Sequence, residues 1–117
     1  MGVEVNLEKG IVGLSLQDNI IQESADELRE TVTTLLDQGN KFFALDFSGV
    51  YLMDSYGMGV LIRILQRITK ANGALVLHSL PVNIKRLLDL TRLNLVMEIS
   101  DSREEAQQRL LDISRKR

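Results

Sequence analysis

Cysteine is absent from this sequence, and proline and histidine each occur once. Without cysteine, the chain has no disulfides, no thiolate nucleophile and no cysteine ligand for zinc, and it is stable in a reducing compartment. Zinc sites draw on several His or Cys side chains, so His78 alone predicts no metal site. We expect His78 to be a partly exposed residue at the end of a strand.

Long apolar runs and an excess of one charge are also absent. No stretch approaches the roughly 20 apolar residues of a membrane-spanning helix, and the N-terminal segment MGVEVNLEKG lacks the apolar core of a signal peptide. The 14 basic and 16 acidic residues are interspersed, so no basic surface for nucleic acid is predicted. We therefore expect a cytoplasmic protein that binds no DNA or RNA and has no membrane span.

The chain does contain enough apolar sequence for one core. Its 117 residues are 44% hydrophobic, and a domain of this size buries roughly two-thirds of its unfolded surface. No linker, internal repeat or low-complexity segment interrupts the sequence. We therefore expect residues 1–117 to form a single domain.

Short apolar runs predict five strands. The first two alternate with polar residues and meet at a tight turn containing Lys9 and Gly10, so we expect a half-buried, hairpin-like pair. The third, FFAL, is apolar without alternation, which is typical of a central strand covered by helices on both faces. The runs lie at residues 3–7, 11–16, 42–45, 74–77 and 95–97.

About four helices are predicted between and after these strands. Two capping boxes, Ser24 with Glu27 and Ser102 with Glu105, predict the starts of the first and last helices. Apolar positions at helical spacing from Val60 predict another, and a further helix follows the single proline. The fold class is therefore α/β, with a mixed, mostly parallel sheet and an antiparallel pair at its N-terminal edge.

The most informative segment is the turn MDSYGMG, residues 53–59, between the third strand and the next helix. The free N–H groups and macrodipole at a helix start favour an anion, so a phosphate on Ser55 would be accommodated there. A hydrolase nucleophile also occupies such a turn, but MDSYG lacks the glycine two positions before the serine, and nothing predicts that His78 reaches Ser55. With no nucleotide-binding glycine motif either, we expect no cofactor and no enzymatic activity; a small serine hydrolase is a distant alternative.

A longer segment around this turn resembles a known family. LDFSGVYLMDSYGMGVLIRI, residues 45–64, is similar to the signature of the STAS domain of bacterial anti-sigma factor antagonists, in which an LDLS-type strand end leads to DSSGLG or a close variant. The resemblance covers essentially the whole chain and implies the STAS fold. Further similar segments are residues 28–30, Gly73, residues 87–93 and residues 101–106.

This resemblance implies a function in transcription regulation by partner switching. In the family, the serine after the signature aspartate is phosphorylated by an ATP-dependent serine/threonine kinase that is also an anti-sigma factor; that serine matches Ser55. The unmodified antagonist binds the kinase and releases a sigma factor, and a phosphatase reverses the modification. Phosphate brings a charge of about −1.5 to −2, which opposes docking through repulsion and desolvation.

The residues around Ser55 are expected to form the partner-binding switch. Asp54 either positions the hydroxyl or caps the helix, and the two glycines allow close approach of backbone and partner. Tyr56 and Met58 are candidate contacts beside the acceptor, although Met58 has ordinary core packing as an equal alternative. The expected switch residues are Asp54, Tyr56, Gly57, Met58 and Gly59, together with Asp18 and Asn19 in the loop after the second strand.

Two positions depart from the family pattern. Residues 16–19 keep only part of a GELD-like run, and Tyr56 stands where a small residue is commoner. These departures leave open a docking adaptor of a stress-signalling or transport complex that has no phosphorylation switch. The pattern shows no apolar patch large enough to force association, so we expect a monomer or a weak dimer.

Overall fold

The structure, a computed structural model, describes residues 3–116 as five strands, four α-helices and one 3₁₀ turn. The strands are β1 (Val3–Glu8), β2 (Ile11–Leu16), β3 (Phe42–Asp46), β4 (Ala74–His78) and β5 (Glu98–Ser100). The helices are α1 (Gln22–Asp37), α2 (Ser55–Lys70), α3 (Val82–Leu90) and α4 (Arg103–Arg115), and the 3₁₀ turn is Leu93–Leu95.

The five strands form one mixed sheet in which the spatial order follows the chain order. β1 is antiparallel to β2, and every later pair is parallel. Lys9 and Gly10 both have positive φ, which is the backbone of a two-residue hairpin turn with the right twist for the strands it joins. The predicted α/β class, the antiparallel edge pair and the central place of β3 are confirmed.

Helices cover both faces of the sheet. On one face, α1, α2 and α3 enclose the larger core, where Phe43 and Leu45 of β3 are buried. On the other face, α4 packs against Ala44 and Val76. β3 is thus covered from both sides, which explains why its sequence is apolar without alternation.

β1 is more exposed than the alternation in its sequence predicts. Val5 and Leu7 share a face with the larger core, yet both side chains are exposed. The prediction of a half-buried first strand is wrong because β1 is the edge of the sheet and lies beyond most of the helical layer. The charged residues Glu4 and Glu8 on its other face are typical of an edge strand that resists pairing with another chain.

The first helix begins earlier than its predicted capping box. Ile21, with extended backbone, is the N-cap of α1, and Ser24 is the third residue of the helix. The Ser24 hydroxyl accepts a hydrogen bond from Ile21 N at 3.0 Å. Ser24 therefore bonds the backbone of the N-cap residue and is not itself the N-cap. At the second box, Ser102 is the N-cap of α4 as predicted, and its Oγ accepts from Glu105 N at 3.2 Å, but the Glu105 carboxylate accepts from Asp101 N instead of the Ser102 backbone.

The last strand is displaced from the apolar run at residues 95–97. Arg92 adopts a left-handed backbone with φ 63°, and the chain then makes a 3₁₀ turn that ends at Leu95. Leu95 and Val96 are exposed, and only Met97 of the run is buried. A strand forms where the backbone can pair with β4, at residues 98–100, so the prediction of a strand at 95–97 is wrong.

Candidate functional site

Asp54 determines where α2 begins. Its backbone is extended, and its side chain accepts a hydrogen bond from Gly57 N at 2.7 Å, so Asp54 is the N-cap. The helix therefore starts at Ser55, five residues before the apolar spacing that begins at Val60. Ser55 is exposed at the first helical position, where free N–H groups and the helix dipole favour negative charge.

We expect the substitution Asp54→Ala to lower the free energy of unfolding by about 1 kcal/mol, because Gly57 N loses its side-chain acceptor. Asp54→Asn is the matched control, since its Oδ1 keeps the acceptor and should leave stability within a few tenths of a kcal/mol. Urea unfolding followed by circular dichroism measures both. Equal losses in the two variants would show that charge, and not the cap, is what matters.

Asn19 joins the loop after β2 to the segment before Ser55. Its Oδ1 accepts hydrogen bonds from Tyr51 N at 2.9 Å and from Leu52 N at 3.0 Å. Next to it, Ile20 and Met53 form an isolated parallel bridge, with Ile20 N donating to Leu52 O at 2.9 Å. The structure therefore brings the Asn19 loop to the start of α2.

Asp18 is placed differently from its neighbour. Its side chain is exposed, and its Oδ1 accepts from Asn19 N at 2.7 Å. Within residues 3–116, the side-chain hydrogen bond of Asp18 thus stays inside its own loop.

The two glycines of the turn differ in what surrounds them. A Cβ at Gly57 would lie 2.1 Å from the carbonyl oxygen of Ile20, which is a backbone atom and cannot rotate away. A Cβ at Gly59 would meet nothing within 4 Å. Close approach between backbones therefore requires glycine at residue 57 and not at residue 59.

The two candidate contact residues of α2 also differ. Met58 is partly buried and packs against the larger core, as the core-packing alternative predicts. Tyr56 is 42% exposed, and its hydroxyl donates a hydrogen bond to Asp26 Oδ1 on α1. This hydrogen bond raises the pKa of Tyr56 and, from the other side, lowers the pKa of the Asp26 carboxyl, which Arg29 lowers further.

Three exposed apolar side chains close to the turn were not anticipated from the sequence. Tyr51 and Leu52 are each 62% exposed, and Val82, at the start of α3, is 73% exposed. Asn83 donates a hydrogen bond to Tyr51 O, which joins the start of α3 to the loop before α2. We call Tyr51, Leu52 and Val82 the apolar rim. Val82 falls outside the helical spacing of the buried residues of α3, whereas Tyr51 and Leu52 lie in a loop and carry no periodic signal.

His78 is buried, with only 2% of its surface exposed, so the prediction of a partly exposed histidine is wrong. It follows three buried positions of β4 and faces the α4 side of the sheet, as Asp46 does in register beside it. Asp46 accepts a hydrogen bond from Ser48 N, in the turn after β3, at 2.9 Å. α2 packs on the other face, so His78 makes no hydrogen bond to Ser55 among the described residues.

We expect His78 to make stability fall in acid. Burial lowers its pKa, an effect that Asp46 and Glu104 oppose and Arg103 reinforces. Its proton is therefore bound more readily in the unfolded chain, and stability is lost as the pH falls below about 6.5. When the pH is lowered from 7.5 to 5.5, the free energy of unfolding measured in urea should fall less for His78→Gln than for the chain without the substitution. Equal losses would contradict this assignment.

The described residues supply neither a metal site nor a membrane span. Within residues 3–116, no group of three or more His, Asp or Glu side chains is arranged to hold a metal ion. Over the same range, no helix is both long enough and apolar enough to cross a bilayer.

This architecture is that of a STAS-type regulatory domain. It combines a mixed sheet with an antiparallel edge pair, helices on both faces and an exposed serine at the start of the second helix. The chain belongs to the STAS domain family, whose model matches residues 3–106.

Individual proteins that are similar to this chain include anti-sigma factor antagonists. The anti-sigma-B factor antagonist of Bacillus subtilis (strain 168) is 30% identical over 104 residues, which are 89% of this chain and 94% of that protein. The crystal structure of the Thermotoga maritima protein TM1081 is 27% identical, with a TM-score of 0.87, and the match covers 92% of this chain and 93% of that one.

The fold is shared with a more distant antagonist as well. The Bacillus anti-sigma factor antagonist SpoIIAA in its unphosphorylated form has a TM-score of 0.72 at 15% identity, over 94% of this chain and 97% of that one. The resemblance to the STAS domain and to bacterial anti-sigma factor antagonists that the sequence predicts is therefore confirmed.

Proposed function

We propose that this chain is an anti-sigma factor antagonist controlled by reversible phosphorylation of Ser55. The unmodified chain binds an anti-sigma factor that is also an ATP-dependent serine/threonine kinase, and a sigma factor is released. Phosphorylation ends this binding, and a phosphatase restores it. The observation that carries the proposal is an exposed serine hydroxyl at the first position of α2, beside the apolar rim.

The start of α2 suits a phosphoryl acceptor. The kinase would transfer the γ-phosphoryl group of ATP to Ser55 Oγ, releasing ADP, while a base on the kinase takes the hydroxyl proton. The product carries its charge at the positive end of a 16-residue helix, where an anion is stabilised by about 0.3–1 kcal/mol. The Asp54 carboxylate accepts a hydrogen bond from Gly57 N, so Asp54 fixes the helix start at which the acceptor hydroxyl lies.

The surroundings of Ser55 explain why a phosphate would end docking. The apolar rim exposes large side chains that a partner would cover, and water would then leave this surface. A phosphate with a charge of about −1.5 to −2 must lose its hydration in the same place. Asn19 holds the backbone of Tyr51 and Leu52, and Asp54 caps the helix start, so the docking surface would change in charge without needing to change in shape.

The relatives support the same proposal. The Bacillus subtilis protein that is 30% identical to this chain is named for antagonism of an anti-sigma factor. SpoIIAA, which shares the fold, has been solved in both an unphosphorylated and a phosphorylated form, so phosphate is compatible with this fold. We place the exchange in the bacterial cytoplasm, where ATP, kinase, phosphatase and sigma factor meet, and propose that the antagonist acts as a monomer or weak dimer.

The proposal is tested by recovering the partner from native extract with the unmodified chain as bait and then adding ATP. We expect mass spectrometry to find one phosphate on the peptide that contains Ser55, and none when the bait is Ser55→Ala. A recovered partner that transfers no phosphate, and that binds Ser55→Asp as well as the unmodified chain, would contradict the switch and leave a docking adaptor.

A further inference from the structure

A hydrogen-bonded contact between α1 and α2 lies directly beside the acceptor serine. The Tyr56 hydroxyl donates to Asp26 Oδ1, and the same oxygen lies 3.3 Å from Arg29 Nη2. Asp26 is thus held by two groups, one on its own helix and one on α2. Tyr56, the residue that follows Ser55, is consequently anchored at its outer end although its ring is substantially exposed.

An exposed aromatic ring that is anchored in this way is suited to binding. A free tyrosine side chain must be ordered when a partner covers it, which weakens binding by roughly two- to tenfold. The hydrogen bond to Asp26 restricts the Tyr56 side chain to one conformation before the partner binds. The raised pKa of Tyr56 and the lowered pKa of Asp26 are consistent with a neutral hydroxyl donating to a carboxylate.

We propose that Asp26 is a positioning residue for partner binding, and that it acts by holding the Tyr56 ring in the conformation that the anti-sigma factor kinase contacts. Arg29 supports Asp26 in this role. The inference rests on the proposed function and extends the partner-binding surface from α2 to α1. It also gives Tyr56 a specific role at a position where the family commonly has a small residue.

The same pair of helices provides a matched control. Arg67 Nη1 donates to Thr33 Oγ1 at 2.9 Å, which is a second hydrogen bond between α1 and α2, about three helical turns from Ser55 along α2. Thr33→Val removes this bond with little change in shape. It should affect the packing of the two helices as Asp26→Ala does, but it should leave partner binding unchanged.

The experiment is a double-mutant cycle on binding to the kinase recovered with the unmodified bait, measured by calorimetry without ATP. We expect Asp26→Ala and Tyr56→Phe each to weaken binding by about three- to tenfold, the cost of ordering one side chain. The double variant should bind no more weakly than either single variant, because both remove the same hydrogen bond. Asp26→Asn, which keeps an acceptor oxygen, should restore most of the affinity.

Several results would overturn the inference. Full affinity of Asp26→Ala would show that the ring needs no anchor, and additive losses in the double variant would show that Asp26 acts independently of Tyr56. An equal loss in Thr33→Val would assign the effect to helix packing in general. If the unmodified chain binds the kinase and accepts phosphate, any of these results leaves the proposed function intact; if it does neither, both proposals fail.

Discussion

Ser55→Asp should weaken binding to the anti-sigma factor kinase by about 100-fold or more. The new carboxylate lies at the exposed start of α2, in sequence between the exposed side chains of Leu52 and Tyr56, which a partner would cover. Covering an unpaired charge costs about 3 kcal/mol, which corresponds to this factor. Titration calorimetry with the purified kinase measures the change directly.

Two controls separate docking from folding in this experiment. Gln108→Glu adds the same charge on α4, which packs on the other face of the sheet, and it should retain full affinity. The stability of Ser55→Asp itself should be unchanged or higher by up to about 1 kcal/mol, because the carboxylate lies at a helix N-terminus. If Gln108→Glu weakened binding as much as Ser55→Asp, net charge and not the site would be responsible.

Gly57→Ala should lower the free energy of unfolding by about 3 kcal/mol and the melting temperature by about 10 °C. The added Cβ would lie 2.1 Å from Ile20 O and 3.0 Å from Ile20 C, so one of two backbone segments must move. Those segments carry the Ile20–Met53 bridge and the cap of α2. Thermal and urea unfolding followed by circular dichroism test the prediction.

Gly59→Ala is the matched control for this substitution. It introduces the same methyl group two residues further along the same helix, where nothing lies within 4 Å. Because alanine has a higher helix propensity than glycine, stability should rise by up to about 1 kcal/mol. If the melting temperature of Gly57→Ala equalled or exceeded that of the chain without the substitution, this would contradict the close approach between Gly57 and Ile20.

The features of the fold that the sequence predicts correctly depend on local patterns. The unbroken FFAL run identifies β3, the turn at Lys9 and Gly10 identifies the hairpin, and the apolar spacing after residue 60 identifies α2. The burial of His78 and the exposure of Val5 depend instead on which elements lie against each strand. Such contacts join residues far apart in the chain, so a single sequence contains no periodicity that reports them.

The same distinction applies to the candidate site. The signature points to Ser55, and the short side chain and N-cap preference of Asp54 predict its role. The bonds from Asn19 to residues 51 and 52, and from Tyr56 to Asp26, span about 30 positions of sequence. Neither leaves a local trace, since asparagine, aspartate and tyrosine all occur on ordinary surfaces. The arrangement of the segment around Ser55 therefore required the structure.

The agreement between chain order and spatial order in the sheet has a consequence for synthesis. Each strand pairs with the one before it, so every new strand emerging from the ribosome finds its partner already made. Short sequence separation between pairing strands also favours rapid folding. By residue 78, the first four strands, α1 and α2 have all been made, and α3, the 3₁₀ turn, β5 and α4 follow. The helix that carries Ser55 is thus synthesised after the strands β1, β2 and β3 and before α3.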